Sequence, residues 1–492
     1  MKAIVIGSGV GGLAMAIRLA VKGYEVHVFE KNGTTGGKIG EIRRDGFRFD
    51  TGPSLLTLPS LLDELFLLAG RKRDDRLPLV RLDMLCRYFY EDGTEIDAWS
   101  EPRRFAAEVE QKPGRTPGMS SVTWTSAGPS TSSRPIFSLS LPAQGTQLPP
   151  AQGGPGHPPL SPGRCLPEHA PAQHAPLPGS PRCPALRPLR HLQRVRPHRA
   201  PATLNLIAHL EHNLGAYLPA TGMREAIRAL EVLARELGVH FHLNSRVEEI
   251  LTSGRRVRGI RVGGGVESCD RLVSDADIHH LYRDLLPGKP APAFSMDKLS
   301  SSALIFYWGV RGHHPRLEVH NILFSTDYKA EFRSIFNERT LFQDPTVYLY
   351  LSSRVVPGDA PGDGENWFAM INVPPDTGQD WTGLVNRARE HILDKIRRML
   401  SIDLRDRIVC EDVQAPPDIE QATLSWKGAL YGQNSNSPFA AFLRHPYRHR
   451  TLHNLHFVGG SVHPGGGIPL CLASAAIADR EFDPVSPNPT DP

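Results

Sequence analysis

Cysteine is scarce and scattered in this chain: six residues in 492, at positions 86, 165, 183, 269, 410 and 471, with no C-x-x-C pair. That excludes a disulfide framework and a thiolate zinc site, and it fits a reducing cytoplasm. No uninterrupted apolar stretch reaches the ~18 residues that a membrane-spanning helix needs. The opening "MKAIVIGSGVGG" breaks its apolar run with glycines, which is not the pattern of a signal peptide. The H-E-x-x-H spacing of a zinc helix is absent despite His209, His212 and the pairs His279-His280 and His313-His314, so no metal is expected. The G-x-S-x-G elbow of a hydrolase is missing too. With 40% hydrophobic and 22% charged residues the chain reads as a globular protein of two or three domains.

Acidic residues are nearly absent from one segment. Between Lys112 and Ala200 stand 19 of the 44 prolines, nine arginines and one lysine, against a single acid, Glu168. Without that segment the totals of 56 basic and 52 acidic residues become 46 and 51, so the overall +4 turns into −5. The basic surplus is local, and no nucleic-acid partner is expected. The composition of 112–198 suits a disordered linker, too poor in buriable surface to offset the entropy of ordering. A translated frameshift is the other explanation. From Leu189, "LRHLQRVRPH" read one nucleotide out of frame permits Phe-Ala-Thr-Tyr-Asn-Gly-Ser-Asp-Pro. Either origin predicts little regular structure there. Resequencing the gene tests the second, and an open frame with these codons confirmed refutes it.

The first positive signal is "KAIVIGSGVGGLAMAIRLAVKGYEVHVFEK". "AIVI" is a short buried-strand pattern, the apolar residues from Leu13 to Leu19 repeat with helical spacing, and "EVHVFE" is a second strand ending at Glu30. Between strand and helix lies Gly7-x-Gly9-x-x-Gly12. Gly7 allows the tight turn, Gly9 lets a pyrophosphate approach the backbone, and Gly12 lets helix pack on strand. The helix N-terminus directs free N–H groups at the phosphates, and Glu30 is placed to accept from a ribose. That acid disfavours NADP.

The continuation "EKNGTTGGKIGEIRRDGFRFDTGPSLLTLP" adds a second doublet, Gly36-Gly37, followed by Lys38. Near the other end, 459–478 reads "GGSVHPGGGIPLCLASAAIA", a glycine-rich loop entering an apolar helix. Here the sequence resembles the FAD-dependent amine-oxidase-like superfamily and, more narrowly, the bacterial carotenoid (phytoene) desaturases. "RAPATLNLIAHLEHNLGAYLPATGM" and "ALYGQNSNSPFAAFLRHP" carry the same likeness, which covers about 1–110 and 199–480. The out-of-frame reading of Leu189 onward also matches what that family carries before "APATL".

The resemblance implies an α/β fold: a Rossmann-like FAD-binding domain built from discontinuous segments plus a mixed α+β substrate domain. The flavin domain would take 1–75, 221–285 and 421–492, and the substrate domain 76–111, 199–220 and 286–420. FAD would be held by Gly7, Gly9, Gly12, Glu30, Lys31, Gly36, Gly37, Lys38, Val247, Gly459, Gly460, Gly466 and Ile468. His463, between the glycine loops, is the candidate catalytic residue. In the middle, Ile227, Leu230, Leu233 and Leu237 form one helix face stopped by Gly238, and "SSSALIFYWGV" (300–310) is a strand of the substrate domain. "SLLTLPSLLDELFLLAG" (54–70) is expected to be a helix with Ser60 as N-cap and Asp63 three residues on. It is read first as a core helix and second as one that lines a tunnel or dips into a lipid surface.

The activity implied is desaturation of a C40 carotenoid drawn from the inner face of the cell membrane by a peripherally bound, monotopic enzyme, with oxygen or a quinone as electron acceptor. "CRYFYEDG" and "SSSALIFYWGV" lean toward the hydroxycarotenoid 3,4-desaturase branch. The alternatives are a non-catalytic prenyl-binding protein of the Rab-escort type, and another oxidoreductase of this superfamily such as a retinol saturase type.

Overall fold

The computed structural model describes residues 1–112, 210–286, 288, 295–433 and 444–485. The Pro-rich stretch from 113 onward and His209 lie outside the described residues. Strand β1 (Lys2–Ile6), helix α1 (Val10–Val21) and strand β2 (Glu25–Phe29) form the opening unit. They belong to a five-stranded sheet ordered Leu455–Phe457, Arg271–Ser274, β1, β2, His240–His242, and all four pairings are parallel. Three distant stretches of chain therefore build one sheet. In its register Ile6 lies opposite both Ser274 and Phe29, so loops from different stretches leave at one edge.

The sheet is covered on both faces, as parallel sheets are. Val5, Val28 and Val273 share a core with Leu13, Ile17, Ile227 and Leu472 from α1 and the helices Arg224–Glu236 and Ile468–Ala478. Ile4, Phe29 and Leu272 pack instead against Val247, Ile250 and Ile260 of an antiparallel three-stranded meander, Val247–Ser253, Arg256–Val262 and Gly265–Ser268. Helix Arg224–Glu236 stops at Leu237 and Gly238, whose φ of +84° lies in the left-handed region that ends helices.

The second layer system is a seven-stranded mixed sheet, ordered Ile408–Gln414, Ser302–Arg311, Gly364–Val373, Val347–Tyr350, His320–Leu323, Met84–Phe89, Glu95–Trp99. Only the pairing of His320–Leu323 with Met84–Phe89 is parallel. Ser302–Val310 is buried on both faces, consistent with its unbroken apolar and aromatic run. One face, with Phe306 and Trp308, packs with Ile392 and Ile396 of helix Trp381–Leu400; the other, with Ile305 and Tyr307, joins the core of the parallel-sheet half. Strand Tyr217–Pro219 pairs with Leu79–Arg81.

The Leu-rich stretch differs from expectation at its start. Its helix runs Ser60–Leu68, with Pro59 at the cap position and no side-chain capping bond. Ser60 is already helical, and Asp63 accepts from Arg73 Nε at 2.6 Å. Leu62, Leu65 and Phe66 face the core, while Leu67 and Leu68 are 67% and 43% exposed.

Candidate cofactor-binding site

The glycine-rich segments from both ends of the chain meet at the carboxyl edge of the parallel sheet. Gly7 donates its N–H to Phe29 O at 2.8 Å, which ties the turn to β2. A Cβ on Gly12 would collide with the Gly7 carbonyl oxygen, so only glycine lets α1 sit this close to β1. The doublet folds onto the same turn: Gly36 donates to Ser8 O at 2.8 Å, and a Cβ on Gly37 would stand 3.2 Å from Gly9 Cα. Arg224 braces this loop from below, donating to the carbonyls of Thr35 and Ile39.

Glu30 is buried at the tip of β2. Its Oε2 accepts from Ser8 N–H at 3.0 Å and Ser8 O–H at 2.8 Å, and its Oε1 accepts from Asn32 N–H at 2.9 Å. The carboxylate thus locks the glycine turn to the next loop. Lys31 reaches Asn32 Oδ1 and Gln421 O, and burial lowers its pKa. Lys38 Nζ donates to Leu430 O at 2.6 Å. Val247 packs in the core with Phe29, two residues after Ser245, whose N–H donates to Glu30 O at 2.7 Å.

The C-terminal loop closes the arrangement. Gly459 donates to Ser474 Oγ at 2.8 Å, and a Cβ on Gly11 would lie 2.8 Å from Gly459 N, so the two glycine loops touch through bare backbone. Gly460 stacks against Gly466, and Gly466 lies against the ring of Tyr431. Gly467 caps helix Ile468–Ala478 with open space at its Cβ position, and Ile468 is buried in the core shared with α1. His463 is buried too; its N–H donates to His445 O at 2.9 Å, and the neighbouring Val462 packs under strand Leu455–Phe457.

The residue that sequence reasoning missed is Asp275, at the end of strand Arg271–Ser274. Its carboxyl lies among the glycines: Cβ atoms built on Gly9 and Gly459 would collide with its oxygens, and one on Gly11 would come within 2.7 Å. The N–H groups of Gly9 and Gly12 are directed at it. Burial, with help from the Glu30 carboxylate, pushes its pKa up to about 7 against the pull of those N–H groups and Lys38. Asp277, two residues on, caps the next turn through His279 N–H. A carboxyl group seated at the N-terminus of α1 shows that these N–H groups suit an acid anion, and α1 has no acidic residue in its first turn to oppose one. The residues fit the pyrophosphate of a dinucleotide.

Comparison with known proteins decides which dinucleotide. Residues 5–66 match the NAD(P)-binding Rossmann-like domain, and residues 197–478 match the flavin containing amine oxidoreductase model. The chain belongs to the flavin containing amine oxidoreductase family. This flavoprotein is an FAD-dependent oxidoreductase, which sets aside the non-catalytic prenyl-binding alternative. It is 42% identical to a 1-hydroxycarotenoid 3,4-desaturase of Flavobacterium sp. (strain P99-3), over 97% of this chain and 98% of that one. It is 31% identical to a 4,4'-diaponeurosporene oxygenase of Staphylococcus haemolyticus (strain JCSC1435), over 97% and 96%. Among solved structures an oxidoreductase from Methanosarcina mazei shares the fold, with a TM-score of 0.60 at 14% identity over 98% of this chain and 100% of that one.

Proposed function

We propose that this flavoprotein is a carotenoid desaturase that introduces a C=C bond near the hydroxylated end of an acyclic carotenoid. The observation that carries this reading is the 42% identity to a 1-hydroxycarotenoid 3,4-desaturase across both chains. FAD supplies the hydride-accepting ring, as cofactors supply the hard chemistry in such enzymes. The Gly7–Gly12 turn and the N–H groups at the N-terminus of α1 would hold its pyrophosphate, Glu30 would take its ribose, and Lys38 would add a positive charge nearby.

The aromatic face of the seven-stranded sheet serves as the dry wall for the polyene. Ile305, Met370, Tyr348, Ile322 and Tyr88 follow one another across it by register. Such a wall excludes water while the chain is held in one orientation. A cleft of about 290 Å³, lined by Tyr90, Phe324 and Tyr328 together with the polar Glu91, Asp92, Ser325 and Thr326, opens past the ends of strands Met84–Phe89 and His320–Leu323. Among the described residues no helix is long and apolar enough to cross a membrane. A C40 hydrocarbon stays in lipid, because each CH₂ exposed to water costs about 0.8 kcal/mol. In this reading the protein takes its substrate at the bilayer surface, with exposed Leu67 and Leu68 as the contact.

Expression in cells that accumulate either a 1-hydroxylated acyclic carotenoid or phytoene tests the reading by pigment analysis. A new, longer chromophore from the hydroxylated precursor is expected; unaltered pigments in both strains, with FAD-loaded protein present, refute it.

A further inference from the structure

The face of the seven-stranded sheet that turns toward the flavin half is not uniformly apolar. Strand residues Tyr307, Phe368, Tyr350 and His320 lie side by side across four strands. His320, Tyr348 and Tyr350 are 2%, 4% and 3% exposed. The His320 ring stacks on Tyr350 with centroids 5.1 Å apart and planes 15° from parallel. Tyr348 OH sits between Ser54 Oγ at 2.6 Å and His320 Nδ1 at 2.8 Å. That string fixes the imidazole and leaves its other nitrogen. His320 Nε2 and Tyr350 OH are both buried with no hydrogen-bond partner among the described residues.

Burial drives the His320 pKa down to about 3, so the ring is neutral and is no proton-accepting base at ordinary pH. Burial also pushes Glu211, close enough to raise the pKa values of Tyr88 and Tyr348, up to about 8. His320, Tyr348 and Glu211 are neutral, buried donors and acceptors, and the buried Arg48–Asp50–Asp359 ion cluster lies close enough to Tyr350 to act on its phenol. Leaving such a group unpaired disfavours the folded state by about 5- to 150-fold. A ligand whose polar atom pairs them removes that cost.

The matching ligand has one alcohol on an otherwise apolar chain. A hydroxyl both donates and accepts, so it complements Nε2 in either tautomer together with the Tyr350 phenol. A methyl terminus does neither. Phe324, which lines the cleft, follows the end of the strand at Leu323, four residues or about 13 Å at strand spacing from His320.

We propose that His320 and Tyr350, with His320 oriented by Ser54 and Tyr348, read the hydroxyl group at the end of the carotenoid substrate. This rests on the desaturase reading above. Both residues are specificity determinants and Tyr348 is a positioning residue; none supplies a proton to the reaction. The site rejects a hydrocarbon terminus because that leaves two buried polar atoms unpaired, the asymmetry that lets a hydroxyl-binding site discriminate strongly.

The test compares kcat/KM for two acyclic carotenoids of equal length, one with and one without a terminal hydroxyl, presented in phosphatidylcholine liposomes to FAD-loaded protein. Tyr350→Phe removes one oxygen and keeps the stack with His320; His320→Phe removes the ring nitrogens. Wild type is expected to prefer the hydroxylated carotenoid, and each variant to lower that preference about 5- to 150-fold, mostly through KM. Melting temperature and flavin content check that Tyr350→Phe is folded. An unchanged preference, or equal losses on both carotenoids, overturns the assignment while leaving the desaturase reading intact. A wild type that turns over neither carotenoid refutes both.

Discussion

Replacing Asp275 by Asn perturbs the cofactor site at the point where its electrostatics are most finely balanced. The carboxyl lies among the N–H groups that would receive the FAD pyrophosphate, and its pKa is pushed up to about 7. Glu30 raises it, Lys38 lowers it, and buried Cys471 lies alongside with its own pKa pushed up to about 12. Below about pH 7 the acid is neutral and can donate to a phosphate oxygen; above it, a third negative charge stands beside the pyrophosphate. Two unit charges about 4 Å apart repel by about 4 kcal/mol at an effective dielectric of roughly 20. That is ample for the acid to stay protonated when FAD binds. Linkage then fixes the sign: FAD binding takes up a proton once Asp275 is ionised, so each pH unit above the pKa weakens binding by up to about tenfold. The dissociation constant of wild type is expected to rise about 10- to 100-fold between pH 7 and about pH 9, while Asp275→Asn, which keeps an oxygen for the Gly9 and Gly12 N–H groups, stays nearly flat. Titration of deflavinated protein with FAD, followed by flavin fluorescence, measures this. A wild type with pH-independent affinity, or a variant with the same slope, refutes the argument.

Two further outcomes follow from the same geometry. Glu30→Ala should weaken FAD by about 10- to 150-fold, the range for losing charge-assisted hydrogen bonds worth about 1.5–3 kcal/mol, and it also leaves Ser8 and Asn32 N–H without their acceptor; unchanged affinity by the same titration would show that the acid does not hold the ribose. Changing both Leu67 and Leu68 to Asp should lower co-flotation with liposomes about tenfold or more, since each leucine placed in lipid contributes about 1.5–3 kcal/mol, with FAD content unaffected; undiminished flotation would move the membrane contact elsewhere.

The dinucleotide half was legible because its signals are local. A strand, a glycine turn, a helix and an acid follow within thirty residues, and each constraint acts on neighbours: Gly12 against Gly7, Glu30 against Ser8 and Asn32. The C-terminal glycine loop was legible for the same reason. Asp275 was not, since it reaches the cradle only through the parallel pairing of Ser274 with Ile6, 268 positions away in the chain. The one signal available was an acid directly after the short strand pattern "RLVS". The Ser54–Tyr348–His320 string comes from a loop and two strands, so no spacing announces it. At the Leu-rich helix the capping pattern at Ser60 misled, because Pro59 fits the first turn without needing an N–H and the helix begins around it.

A carotenoid desaturase of this family must oxidise its carotenoid at the bound FAD. Anaerobic mixing of FAD-loaded protein with a 1-hydroxylated acyclic carotenoid in liposomes measures this, read at once in the absorbance of the oxidised flavin and in the polyene bands after extraction. Bleaching of the flavin in step with formation of one additional conjugated double bond per FAD reduced is the expected result. A flavin that dithionite bleaches but that stays oxidised in the presence of the carotenoid, with the polyene spectrum unaltered, contradicts it.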